Sequence, residues 1–418
     1  MTINLLKGLD FDVSKEDIIE LKERTKDFLN ILKLQIKKEK LKADIFLGGS
    51  FARKTMLKSN EYDVDVFVRF DRKHENISEL LEKVIKKTKV KYESLHGSRD
   101  YFQIRANKKV TLEIIPVYKI KSVKDAENTT DLSYFHVNYV NKKLNDKLRK
   151  EIRIAKKFFK AQKVYGAESY ISGFSGYSVE CLIIYYKTFE NMIKAFSKSK
   201  GKIIIDPEKK YKKEEIMLEL NEAKTQSPII LIDPTWKERN VLAALNDETF
   251  SKLKEAITLF LKKPSMQFFE SKGIDEEKLK EQSKKIGGEY LHLEIKTDKQ
   301  EGDIAGTKMK KFSKFIIKEL EKYFEIKKEE FEYKLEKSSN LYLVLKSRNE
   351  IMKGGPSLDM KEHVSAFKKV NKNTFFKGKR IYATIKINFT GKTFIEKFVK
   401  EQSKKVNEMD IIEIKVKN

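Results

Sequence analysis

The sequence predicts an α+β multidomain protein. Three observations carry that expectation. Strand-spaced and helix-spaced runs alternate over the first 120 or so residues, spacing is mainly helical from about Asn145 to Phe269, and both kinds mix again afterwards. The changes divide the chain into expected domains at 1–137, 138–270 and 271–418.

In order, residues 14–40 read as a helix that Ser14 and Asp17 cap, with Ile18, Leu21, Phe28, Leu32 and Ile36 on one face. Ala43–Leu47 is a short, mostly apolar strand, Gly48–Gly49–Ser50 a turn, and Phe51–Lys58 the opening of a helix. Tyr62–Phe70 alternates, with Val64, Val66 and Val68 on one side. Ile77, Leu80, Leu81, Val84 and Ile85 describe a helix, and Tyr101–Arg105 and Val110–Val117 two strands. Helices are expected at Lys147–Gln162, Ser178–Ala195 and Leu242–Leu261, and loops over the lysine-rich stretch Ser197–Ser227. The last part predicts helices at Lys308–Tyr323 and Phe394–Lys404 and strands near Leu341–Leu345 and Ile381–Asn388, with Gly354–Gly355–Pro356 as a break.

Composition narrows the function. No run of about 18 apolar residues exists, so no transmembrane helix is expected. The N-terminus turns acidic too early for a signal peptide. One cysteine, Cys181, excludes an internal disulfide and a cysteine-based zinc site, and a reducing cytoplasm is the natural location. The 89 basic and 63 acidic residues leave a net charge of +26, a field that attracts polyanions. A surface rich in Lys and Glu for heat adaptation explains charge abundance but not this imbalance.

Asp63 and Asp65 stand two apart in a strand pattern and so share a face. Neighbouring carboxylates repel, and hard oxygen ligands of this kind suit Mg²⁺ held with substrate phosphates. An isolated pair of this spacing is more often a solvated strand face; the flanking residues reverse that. Gly48–Gly49–Ser50 follows an apolar strand, and twelve residues separate Ser50 from Asp63. A glycine turn leading into a helix presents free backbone N–H groups to phosphate oxygens. Gly49 permits close approach, Ser50 adds a hydroxyl, and Arg53 follows one turn later. Glu113, in the apolar run Val110–Pro116, is costly to bury unless paired or metal-bound; the alternative is that it faces water.

This set resembles the nucleotidyltransferase superfamily of DNA polymerase β type. The resemblance implies two Mg²⁺ ions about 3.5–4 Å apart, held by Asp63, Asp65 and Glu113. A glutamate stands at the third position, where the family more often has aspartate. Further matches, in family order, resemble the archaeal, class I CCA-adding enzymes (tRNA nucleotidyltransferases): Gly48–Thr55, Asp63–Val68, Tyr165–Glu168, Gly173–Tyr177, Asp233–Pro234, Arg239–Val241 and Lys263–Phe269. Beyond residue 270 the match is loose.

That resemblance implies CCA addition to the tRNA 3′ end from CTP and ATP, with release of pyrophosphate. It assigns Gly49, Ser50, Arg53, Lys156 and Tyr165 to the triphosphate, His136 to the incoming nucleotide and Arg239 to the base edge. Each has a plainer reading: Lys156 as a surface lysine, Tyr165 and His136 as buried packing residues, Arg239 as a partner of Asp233 or Glu238. The segment of His96, Arg99 and Asp100 receives no role. The implied partners are the tRNA acceptor arm and the two nucleotides, with no membrane; a homodimer is compatible with the sequence. The rivals are a poly(A) or oligoadenylate polymerase on the same fold, and an inactive RNA-binding protein.

Overall fold

A computed structural model of the chain describes residues 6, 8–97, 99–212 and 215–417. It divides into two compact units, Met1–Lys272 and Gly273–Asn418.

The first unit opens with helix α1 (Lys15–Lys38), whose N-cap Ser14 side chain accepts from the Asp17 amide. Leu21, Phe28, Leu32 and Ile36 are buried; Ile18, expected among them, lies on the first turn of the helix and is 37% exposed. Strands β1 (Ala43–Leu47), β2 (Tyr62–Phe70), β3 (Glu93–Leu95), β4 (Tyr101–Arg105) and β5 (Val110–Tyr118) form one sheet in the order β1-β2-β5-β4-β3. Only β2 and β5 run parallel. Val64, Val66, Val68, Ile104, Leu112 and Ile114 face a core with α1 and α3 (Ile77–Thr88). The other face therefore carries the odd-numbered residues of β2 and β5, including all three acids. Between β1 and β2 the expected helix over 51–58 is α2, Gly49–Arg53, ended by Lys54 at φ 57°.

The rest of this unit is mainly helical: α4 (Ser133–Lys143), α5 (Asp146–Ala161), α6 (Gly176–Tyr186), α7 (Phe189–Lys198) and α8 (Asp247–Lys262). The expected boundary at 137/138 falls inside α4, where Val137 and Val140 are both buried. The single helix expected over 178–195 is two, because Lys187 turns left-handed (φ 70°) and Thr188 caps α7. The expected loop over 197–227 holds a strand, β6 (Ile203–Ile205), paired parallel with β7 (Ile229–Leu231), and two single helical turns. Lys213 and Glu214 of that stretch lie outside the described residues. Leu242 and Leu245 are buried just before α8 begins at Asp247, capped by Asn246. The core is aromatic, with Phe158, Phe159, Phe174, Phe189, Phe196, Phe260 and Phe269 in one cluster.

In the second unit β14 (Glu413–Lys417), β8 (Glu289–Lys296), β10 (Ser338–Ser347) and β9 (Phe324–Tyr333) form an antiparallel sheet in that order. It buries Leu291, Leu343, Met309, Phe312 and Ile316 in one core. A second sheet orders β11 (Glu350–Ser357), β13 (Arg380–Lys386) and β12 (Thr374–Lys377). Gly354–Gly355–Pro356 does not break the chain but lies inside β11, where the pairing register shifts. A side chain on Gly355 would press on Ile381 and Phe367, so glycine allows the strand to approach them. Among the described residues, no helix is long and apolar enough to cross a membrane.

Candidate active site

Two rows of residues cross the open face of the first sheet. Asp65 stands opposite Glu113, Glu113 opposite Gln103, and Gln103 opposite Glu93; in the next row Asp63, Thr111 and Arg105 are partners. Asp63 is exposed, while Asp65 and Glu113 are half-buried. Gln103 donates Nε2 to Glu113 Oε1 at 2.8 Å. Burial raises all three carboxyls; Asp63 adds to it at Asp65, the two aspartates add to it at Glu113, and Glu61 adds to it at Asp63. Glu113 is pushed up to about 7, by burial first and then by Asp65. Among the described residues, no three acidic, imidazole or thiol side chains stand, as placed, where they could hold a metal ion together. Three repelling carboxylates on one face nonetheless fit a hard divalent cation, which would relieve the repulsion and leave them ionised.

The glycine turn is built against these acids. The Gly48 amide donates to the Asp65 carbonyl at 2.8 Å. Gly49 has φ +57°, and a Cβ there would fall within the Asp65 carboxylate; a Cβ on Gly48 would strike the Phe67 ring. Both glycines are needed for β1 and α2 to close on β2. With only five residues, α2 contributes its loop amides, the Ser50 hydroxyl and Arg53 rather than a long helix dipole.

Arg53 leads to a buried charge cluster. Its Nε lies 2.7 Å from Glu180 Oε2, and Lys156 Nζ lies 2.8 Å from Glu180 Oε1. Lys156 also donates to Thr55 Oγ1 at 2.9 Å, and Thr55 Oγ1 donates to Glu180 Oε1 at 2.6 Å. Glu180 and Thr55 are wholly buried and Lys156 is 2% exposed, so Lys156 is no surface lysine. Burial pushes the Glu180 carboxyl up, but Arg53 and Lys156 outweigh it and hold it below the usual range. One carboxylate faces two cations, leaving an excess positive charge beside Asp65, which attracts Arg53. Tyr165 is half-buried in the same field, with Lys160 Nζ 5.2 Å above its ring; Lys160 in turn is attracted by Asp63.

A second buried acid, Asp233, gathers the remaining residues. It accepts from Arg239 Nη1 at 2.7 Å, from Tyr177 Oη at 3.1 Å and from the Thr235 amide and hydroxyl at 2.8 Å. His136 Nε2 lies 3.1 Å from its Oδ2, and the His136 and Tyr177 rings stack at 4.0 Å. Burial lowers the His136 pKa, with Asp233 opposing. The expected pairing of Arg239 with Asp233 is thus present, and three-quarters of the Arg239 side chain is shielded from water.

The structure brings Gly49, Ser50, Arg53, Lys156 and Tyr165 around Asp65, and His136 and Arg239 around Asp233. Sequence reasoning missed Glu180, Thr55, Gln103 and Lys160. Glu180 left a signal: it is the one acid in the apolar run Val179–Ile184 of α6. Arg99 serves the fold, pairing with Asp131 and Glu127 and lying 4.8 Å from the Tyr118 ring centre. His96 Nδ1 and Asp100 Oδ1 are 2.8 Å apart.

Family models and sequence relatives point the same way. Residues 26–158 match the family description "Nucleotidyltransferase domain" and residues 150–270 "tRNA nucleotidyltransferase, second domain". A CCA-adding enzyme of Nanoarchaeum equitans is 37% identical over 282 residues, 67% of this chain and 67% of its own length. One from Thermoplasma volcanium is 31% identical over 237 residues, 55% of this chain and 49% of its own length. The matched region thus spans about half to two thirds of these relatives. A solved structure of the Cid1 poly(U) polymerase aligns at 13% identity with a TM-score of 0.49, over 65% of this chain and 98% of that one.

Proposed function

The chain belongs to the CCA-adding enzyme family of nucleotidyltransferases, and from that premise we propose that it completes the 3′ end of tRNA from CTP and ATP without a template. The observation that carries this reading is the shared face of Asp63, Asp65 and Glu113 closed by Gly49 and flanked by the Arg53–Glu180–Lys156 cluster.

In this reading Asp63, Asp65 and Glu113 hold two Mg²⁺ ions, which when bound neutralise the triphosphate and lower the pKa of the acceptor hydroxyl. The Gly49 amide, Ser50 and Arg53 take the phosphates; Lys156 gives its three N–H donors to Thr55 O, Thr55 Oγ1 and Glu180 Oε1, so it acts from beneath them by its charge and by holding Glu180. Tyr165 and Lys160 close the same side. Asp233 fixes His136 and Arg239 toward the base. Arg239 gives Nη1 to Asp233 and keeps its other N–H donors for acceptors that C and A share in its reach. Gln103 orients Glu113 on the side of the entering hydroxyl.

Residues 1–137 would carry the chemistry, 138–270 nucleotide recognition, and 271–418 the acceptor arm. Lys377–Arg380, at the β12–β13 turn, is the basic contact we assign there. Lys308–Lys311, a second basic stretch of these residues, is partly engaged: Lys308 pairs with Asp410 at 2.7 Å and Lys310 lies over the Phe331 ring. We place the reaction in the cytoplasm, where the buried Cys181 thiol stays reduced.

The test offers the purified protein a tRNA lacking its terminus with each nucleoside triphosphate in turn. CTP alone should add two residues, and ATP one more only after them. Long untemplated A tails, or RNA binding with no incorporation, would refute the reading.

A further inference from the structure

The turn α2 is gripped from behind. Its own hydrogen bonds run from the Ala52 amide to Gly48 O, from the Lys54 amide to Phe51 O and from the Thr55 amide to Ser50 O. That leaves the carbonyls of Ala52, Arg53, Lys54 and Thr55 at the helix end, where a helix supplies no partners of its own. Each of them accepts from a side chain of the helical region. Asn141 Nδ2 donates to Ala52 O at 3.3 Å, Arg149 Nε to Arg53 O at 3.3 Å, Arg153 Nη1 to Lys54 O at 2.9 Å and Lys156 Nζ to Thr55 O at 3.3 Å. Donors and acceptors run in the same order along the chain.

Arg149, Arg153 and Lys156 stand at helical spacing, so one stripe of α5 meets the turn, and α4 supplies Asn141. Each arginine is itself held by an acid: Arg153 Nε pairs with Asp12, and Arg149 Nη1 with Asp146 at 3.0 Å. The planar guanidinium spans an acid on one side and a carbonyl of the turn on the other. Cations at this end also complement the partial charge of the carbonyls. Water would satisfy the carbonyl of exposed Lys54 equally well, but it would not fix where the turn points. A helix of five residues is roughly 7 Å long, so a tilt at its carbonyl end reappears at Gly49 and Ser50. A misplacement of about 1 Å at a reacting centre costs about a hundredfold in rate.

We infer that Arg149 and Arg153 are positioning residues for the nucleotide: they fix the carbonyl end of α2 so that the Gly49 amide, Ser50 and Arg53 meet the triphosphate at set places. This rests on the nucleotidyl-transfer reading above.

The experiment uses the full chain with Arg149→Met and Arg153→Met, singly and combined, which keep an apolar stem and remove the donors. Arg99→Met is the control: the Arg99 side chain is buried to a similar degree but pairs with Asp131 and Glu127 rather than with the turn. CTP with Mg²⁺ is titrated by calorimetry without RNA, and incorporation is followed on a tRNA lacking its terminus. The combined variant should bind CTP about tenfold more weakly, the scale of one charge-assisted hydrogen bond. Its KM for CTP should rise with that loss while its KM for the tRNA holds. Arg99→Met should lower the melting temperature and leave both KM values in place.

Double-mutant cycles separate positioning from a plain loss of stability. The effect of the combined variant on CTP affinity should shrink in a Ser50→Ala background, because the hydroxyl that the turn presents is already gone. Asp12→Asn, at a half-exposed side chain that a variant can lose without unfolding, should weaken CTP binding in the parent and add nothing to Arg153→Met. Additive effects in either cycle, unchanged CTP affinity in the combined variant, or an equal loss in Arg99→Met would overturn the assignment. If CTP affinity falls as stated but the unmutated protein incorporates nothing, the positioning role stands and the nucleotidyl-transfer reading falls; an unmutated protein that binds no CTP would overturn both.

Discussion

Glu180→Gln isolates one buried charge of the first unit. The substitution keeps the side chain's size and an oxygen for the Thr55 hydroxyl, now 2.6 Å from Glu180 Oε1. It removes the carboxylate that Arg53 and Lys156 both meet, at 2.7 and 2.8 Å. Breaking a buried pair from one side costs about 3–5 kcal/mol, because the remaining charge stays buried and uncompensated. At about 2–4 °C per kcal/mol for a large domain, melting should fall by roughly 6–20 °C. The carboxyl is held below its ordinary 4.5, so its stabilisation is complete above that value and is lost as pH falls through the folded one. The two melting curves should therefore converge on acidification below about 4.5. Two unbalanced cations should also make the variant more responsive to an anion, so pyrophosphate should raise its Tm more than that of the unmutated protein. Scanning calorimetry with and without pyrophosphate reads all three effects. A variant melting within about 2 °C of the parent at neutral pH would show that Glu180 does not hold the two buried cations in place.

Asp65→Ala should abolish nucleotide incorporation while leaving RNA affinity within about twofold, measured by gel extension and anisotropy; normal turnover would remove Asp65 from the chemistry. Gly49→Ala must place a methyl where the Asp65 carboxylate lies, at a φ of +57°, and should lose at least a hundredfold in kcat/KM; near-normal kinetics would show that the turn can open freely. Glu113 is raised from 4.5 to about 7, so its ionisation opposes folding: metal-free protein should lose stability as pH rises from 4.5 through 7, by roughly 3 kcal/mol at most. Added Mg²⁺ should then raise Tm more at pH 8 than at pH 5, and a pH-independent rise would contradict the assignment. Arg239→Ala should blur the choice of C and A over U and G more than it weakens RNA binding, read by competing all four nucleotides in one reaction.

Four of the five strands of the first unit's sheet were legible because they are apolar or alternate; Tyr62–Phe70 shows valines at 64, 66 and 68 with Asp63 and Asp65 on the other face, whereas β3, three residues at the sheet edge, went unread. The acids and the glycine turn were legible for the same reason, since the chemistry sits close along the chain. Glu180 and Thr55 were not, because their meaning comes from partners 125 residues apart. Gln103 looks like any strand polar until it is seen facing Glu113. The helix break after Tyr186 hides behind Lys187, a residue with no sequence mark of a left-handed turn. In the second unit β8 and β9 went unread: their charged residues dilute the alternation, and only pairing with β10 makes Leu291, Leu293 and Phe324 a core.

Acids do opposite work in the two halves of the site. Glu180 and Asp233 are wholly buried, and each is surrounded by the donors it holds: Arg53, Lys156 and Thr55 for one, Arg239, His136, Tyr177 and Thr235 for the other. A free lysine or arginine loses about 2 kcal/mol of rotamer entropy on being fixed. Here that loss is taken at folding, so a phosphate or base meets donors already in place. Asp63, Asp65 and Glu113 lack such a set of donors, and burial and neighbouring carboxylates, Glu61 beside Asp63 among them, raise all three. Their ionised state opposes the fold until a cation joins them. Substitutions that neutralise these three should thus cost activity without costing stability, whereas those at Glu180 and Asp233 should cost both. That contrast separates residues kept for chemistry from residues kept for the architecture around it.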